Sequence, residues 1–215
     1  MSEKPSWKRL ALTLENYRAA REGRKTETRR IVNPQTEWGP HPCSYSRTGW
    51  AAADAEGGCK CSEVIRRPPG EPGDVVGLTC PHWRIRNALG GLMIWDEVTE
   101  ACRYAAPYGG AAILWTGGQL VPGWKHMAAR FMPAWACLDF ALVTDVRAER
   151  LQDITEAGAI AEGADKQHID DPGQTWETHR RGFQALWDSI YAERGDGWDA
   201  NKWVWAVKFE RTEKP

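Results

Sequence analysis

The densest chemistry in the chain lies between Gly23 and Ile31, where Arg24, Lys25, Arg29 and Arg30 bracket Thr26, Glu27 and Thr28. Cations at this spacing can contact phosphate oxygens, and Arg66 and Arg67 could add to them. Aromatic side chains beside such cations stack unpaired bases, the usual pairing in single-stranded nucleic-acid binding. Lys25 has a second use. Its amine becomes a general base when burial or neighbouring cations pull its pKa towards neutrality, and Arg24, Arg29 and Arg30 are such neighbours. Against both stands a plainer role, a solvated charge run that complements the dipole at a helix C-terminus.

A second constellation is made of metal-ligand types. His41-Pro-Cys43 and Cys59-Lys-Cys61 form two pairs separated by fifteen residues. They offer four zinc-type ligands inside a stretch with no other evident means of holding itself together. Neither pair has the common C-x2-C spacing, so plain loop thiols are the competing reading. His82, beside Cys80 and Trp83, could extend such a site. No carboxylate cluster suggests a two-metal nuclease centre.

Thirteen tryptophans among 215 residues exceed what one core requires. Each buries a large flat face and keeps one N–H to satisfy. Trp187, Trp203 and Trp205 fall on apolar stripes and are expected in the core. Trp38, Trp50, Trp83, Trp115, Trp124 and Trp176 fall in loops or near turns and are candidates for stacking.

Composition limits the classes open to the chain. Lys plus Arg number 28 against 29 Asp plus Glu, a net charge of -1, so no global cationic field draws it to nucleic acid or an anionic membrane. A hydrophobic fraction of 42% with 27% charged residues excludes a disordered chain. The charged amino terminus has no apolar stretch behind it, and no run approaches the roughly 20 residues of a membrane span. A cytoplasmic protein with reduced cysteines is expected.

The elements that must position these residues can be read from periodicity. Thr13 caps a helix to Arg21 that Gly23 ends, and an extended strand carries the basic segment out of it. On strict alternation Lys25 and Thr28 would face opposite sides, so a bend near Glu27 is required if both serve one site. Residues 32–72 lack any period and are expected as a loop-rich insertion in a single domain spanning 1–215. Short strands are expected at 75–78, 92–95 and 111–115. Phe140 to Ala148 alternates as a strand. Asp153 with Glu156 reads as a capping box that opens a helix closed by Gly163. A second helix runs over 176–194, and Trp203 to Phe209 forms a last strand.

Three stretches together resemble the ASCH domain of the PUA-like superfamily, in the form found in bacteriophage and prophage genes. They are GRKTETRR (Gly23 to Arg30), PGDVV (Pro72 to Val76) and the segment Phe131 to Gly163 with its companions LWDSIY and WDANKWVWAVKFER. The resemblance spans nearly the whole chain. It implies an α+β fold, a small PUA-like β-barrel with flanking helices. It also implies a nucleoside, modified nucleobase or single-stranded nucleic acid as partner. Some ASCH proteins remove the acyl group from N4-acetylcytidine with a Lys and a Thr of the GRKTxT motif and a Glu on a following helix. Carried onto this chain, the catalytic residues are Lys25, Thr28 and Glu162. Arg24, Thr26, Arg29, Arg30, Trp83 and Trp135 are then expected around the ligand. The other function open to such a domain is a non-catalytic reader of phage RNA or modified bases. Neither needs a cofactor; a structural zinc on His41, Cys43, Cys59 and Cys61 is the one metal considered. Phage relatives tend to carry a His and an Arg where this chain has Phe131 and Ala134.

Overall fold

A computed structural model describes residues 7–86, 91–105, 111–116, 123–166 and 178–215. The chain begins β1 (Lys8–Ala11), α1 (Leu14–Arg21), β2 (Glu27–Ile31), β3 (Pro40–Pro42), β4 (Trp50–Ala53), β5 (Cys59–Val64) and β6 (Val75–Thr79). It continues with β7 (His82–Arg86), β8 (Leu92–Asp96), β9 (Ala101–Ala105), β10 (Ala111–Thr116) and β11 (Lys125–Met127). The long β12 (Asp139–Arg150), α2 (Glu156–Ala161), α3 (His179–Tyr191) and β13 (Trp203–Thr212) complete it. The fold is mixed α+β, mostly sheet with few helices, and among the described residues no sheet closes into a barrel. No described helix is long and apolar enough to cross a membrane.

The chain divides into two compact units: Met1–Gly23 with Gly73–Leu142 and Glu210–Pro215, and Arg24–Pro72 with Val143–Phe209. In the first, β6 lies between β1, parallel to it, and the antiparallel start of β12. The pairing covers both edges of β6, and Val76 to Thr79 are all buried instead of alternating. A second sheet has the antiparallel order β10-β9-β8-β7-β11. In its interior the buried Arg103 guanidinium meets Asp96 and donates to the Ala136 carbonyl at 3.0 Å, while Arg103 Nε, Trp95 Nε1 and His82 Nε2 are buried with no hydrogen-bond partner among the described residues. Asp96 also accepts from the Val98 and Thr99 amides, fixing the turn after β8.

In the second unit β2 pairs antiparallel with β13, Glu27 opposite Lys208 and Arg30 opposite Trp205. The helices α2 and α3 pack their apolar stripes into a core of Leu151, Ile154, Ala159, Phe183, Trp187, Trp198 and Val204. Trp205 is also buried, with its ring edge-on to Trp50 at 4.7 Å. Trp203, expected in the core, is only half-buried. Its ring lies under the Arg150 guanidinium and over Gly39, where any Cβ would come within 2.7 Å of it.

Two sequence expectations are corrected. The stretch 32–72 is not a structureless loop, because β3, β4 and β5 form a three-stranded antiparallel sheet within it. Its strands gave no period because β4 reads Trp-Ala-Ala-Ala and β5 is mostly exposed on both faces. The cap of α2 is Thr155, whose hydroxyl accepts from the Gly158 amide at 3.0 Å. Asp153 ends a preceding 3-10 turn instead. Glu156 serves another helix: its carboxylate accepts from the amides of His179 and Arg180 at the start of α3.

Candidate functional site

The site is assembled in the second unit, where the chain enters β2 beside the end of α2. The Thr26 amide donates to the Ala161 carbonyl and the Phe209 amide to the Thr26 carbonyl, so the residues before β2 are held by both helix and sheet. The regular strand starts only at Glu27, which leaves Lys25 free of the strict alternation that would point it away. Lys25 is 1% exposed. Its Nζ donates to the Glu162 carboxylate and, at 2.7 Å, to the Glu162 carbonyl that terminates α2.

From Glu162 the ion pairs continue through Arg29 to the partly exposed Arg147. Arg29 Nη1 lies 3.3 Å from Glu162 Oε1, and Arg29 Nη2 lies 2.7 Å from Glu27 Oε1 and 2.6 Å from Glu149 Oε1. Arg147 grips Glu27 with two parallel bonds of 2.7 and 3.0 Å and reaches Glu149 at 2.8 Å. Three cations, Lys25, Arg29 and Arg147, thus balance three carboxylates, Glu27, Glu149 and Glu162. Balance is what makes burial of so many charges tolerable, since each ion leaving water loses several kcal/mol of solvation. Burial pulls the Lys25 ammonium below the ordinary lysine value; Glu162 opposes this, and Arg30 and Arg29 add to it. Burial pushes the Glu27 carboxyl up, but the Arg147 bonds and the nearby Arg29 prevail and hold it below the usual carboxylate range.

Of the sequence-derived catalytic residues, Lys25 and Glu162 are in direct contact. Thr28 is fully buried in β2, and its hydroxyl accepts from Arg30 Nη1 at 2.8 Å. Arg30 also donates to the Arg29 carbonyl, while Arg29 is wholly engaged by carboxylates. Arg24 and the side chain of Thr26 are exposed. Trp83 and Trp135 belong to the first unit. Trp83 is half-buried, with its ring edge-on to His126 at 5.0 Å and its Nε1 donating to Glu97; Trp135 sits half-buried in a 3-10 turn. Trp176 lies outside the described residues. Sequence reasoning missed Glu27, Arg147 and Glu149. The signal was present: Asp145, Arg147 and Glu149 alternate along the end of β12 in a strand otherwise expected to be half apolar.

The metal-type residues separate. Cys43, Cys59 and Cys61 converge, with Sγ separations of 3.4, 3.4 and 3.0 Å, a group that could hold a metal ion. His41 stands outside it; its Nδ1 faces the Pro42 carbonyl at 2.6 Å. His82 is buried in the first unit with Nδ1 facing the Cys80 carbonyl.

A cavity of about 430 Å³ in the first unit is lined by Arg84, Ile85, Arg86, Leu92, Gly123 and Lys125, none of them a residue expected at the ligand. No protein-family model matches the chain, and comparison with curated proteins and with solved structures finds no match either, so the likeness to ASCH domains rests on the motifs themselves.

Proposed function

We propose that the protein is an ASCH-type, PUA-like domain that binds an N-acylated pyrimidine nucleoside or base and hydrolyses its amide at Lys25 and Thr28. The observation that supports this is the buried contact of Lys25 with Glu162, residues 137 positions apart in the sequence. An amide needs a nucleophile, a base to activate it and a proton for the leaving amine. Thr28 Oγ1 accepts from Arg30, which leaves its own proton for transfer. In this reading the Lys25 amine takes that proton as Thr28 attacks the acyl carbon. It returns the proton to the departing exocyclic amine, and water then releases the acyl group from Thr28.

Glu162 is better cast as a positioning residue than as the acid. Lys25 and Arg29 both hold its carboxylate, and an ionised carboxylate only accepts hydrogen bonds. Thr28 is fully buried and Lys25 1% exposed, so substrate reaches them only when the residues covering them move.

The test is turnover of N4-acetylcytidine, read as release of cytidine, with thermal melts run alongside. Lys25→Ala and Thr28→Ala are expected to lower kcat by roughly 10²–10⁴ fold while a melting transition remains. Wild-type protein that binds the nucleoside or a single-stranded oligonucleotide without any turnover would make it a non-catalytic reader of RNA or modified bases.

A further inference from the structure

We propose that Cys43, Cys59 and Cys61 form a zinc site that staples the three-stranded sheet, with three thiolates from the protein and the fourth position taken from solvent. This site lies apart from the Lys25 cluster and from the reaction proposed for it.

Three observations carry the assignment. The first is convergence. All three sulfurs lie within 3.0–3.4 Å of one another, although they come from the turn after β3 and from two positions of β5. Sulfurs at the corners of a tetrahedron around zinc, each about 2.3 Å from the metal, lie about 3.8 Å apart. An outward relaxation of a few tenths of an ångström therefore converts the cluster into a ligand set. A disulfide can join only two sulfurs, and the third would be left crowded against the bridge.

The second is the framework that holds Cys43. The turn that carries its sulfur is fastened, with the Ser46 amide donating to the Cys43 carbonyl at 3.2 Å. The Cys43 amide donates to the Gly49 carbonyl and the Gly49 amide to the Ser46 carbonyl. The Ser46 hydroxyl donates to Trp50 O at 2.7 Å, and the Thr48 hydroxyl to Ile65 O at 2.7 Å.

The third is the poverty of the sheet. β5 is mostly exposed, β4 contributes three alanines, and β3 is three residues long with a proline at each end. Small sheets of this kind have little apolar area to bury and need another source of stability, which a metal supplies. Cys61 is exposed and Cys59 half-buried, so water can reach the fourth position. His41 is not part of the converging set.

The experiment uses full-length protein purified under reducing conditions without chelator. Elemental analysis is expected to give about one zinc per chain, and replacement by Co²⁺ to give the sulfur-to-cobalt charge-transfer band of a thiolate site. Cys61→Ser, exposed and so the variant safest for folding, is expected to weaken zinc binding by roughly tenfold or more, and Cys59→Ser likewise. His41→Ala and the remote Cys102→Ser should retain zinc. Wild-type protein with no zinc and no cobalt band after addition of either metal would overturn the site, as would a disulfide among the three cysteines in that material. Loss of zinc in His41→Ala would overturn the three-thiolate assignment.

Discussion

Each charge in the cluster around Arg29 is tolerable only because of its partners. Removing one partner leaves the other ion buried with its desolvation uncompensated, which costs about 3–5 kcal/mol. Glu27 is the sharpest case, 1% exposed and held by both Arg29 and Arg147. Glu27→Ala should lower unfolding stability by that amount in urea titrations. The pH dependence has a definite sign. The Glu27 carboxyl is held below its ordinary 4.5, so the stability it contributes is complete above that pH and is lost as pH falls through the lower folded value. Glu27→Gln is therefore expected to flatten the acid limb of the melting temperature against pH. Lys25 gives the complementary expectation for activity. As a base it must be neutral, and burial lowers its pKa from 10.5, so kcat/KM should rise with pH along a limb centred below that value. Glu162 holds the proton on Lys25, so Glu162→Gln should move the limb to lower pH. A limb unmoved in that variant would exclude Lys25 as the titrating base.

Among the elements, the long periodic ones were legible and the short or two-faced ones were not. The helix after Thr13, the strand from Phe140 and the apolar stripe of α3 were plain because each repeats a period several times against one core. β3 to β5 were hidden because short strands with alanines or solvent on both faces have no alternation to read. The junction of α2 and α3 was read half correctly. Glu156 does cap a helix, but it is α3, across a separation in sequence that no local pattern encodes. Its carboxylate takes two of the amides left without partners at that helix start, so Glu156→Ala should cost about 0.5–2 kcal/mol, seen in the melting temperature. Gly39 is a separate case at the start of β3. Its φ of +87° disfavours any side chain, and a Cβ would meet the Trp203 ring. Nothing in the sequence marked that glycine among the 21 in the chain, since the ring lies on β13, far along the sequence.

For the molecule as a whole, composition correctly excluded a global cationic field, and the structure sharpens what remains for a polyanion. The basic segment looked like four phosphate contacts in a row. Arg29 is engaged by three carboxylates, Lys25 by Glu162, and Arg30 by the Thr28 hydroxyl and the Arg29 carbonyl, so the segment does not present four phosphate contacts in a row. Arg67 already lies 3.7 Å from Glu71. Each phosphate neutralised on a single strand contributes a slope of about −0.7 to log K against log salt. With two or three such contacts, binding of a single-stranded oligonucleotide should show a slope no steeper than about −2, and binding of an uncharged N-acylated nucleoside almost none. Fluorescence anisotropy from low to moderate salt measures the first, and calorimetry the second. A slope of about −5 or steeper would mean that a long basic track, not a base-sized pocket near Lys25, dominates recognition. It would also move the search for that track to other cations, beginning with Arg84, Arg86 and Lys125 around the cavity of the first unit.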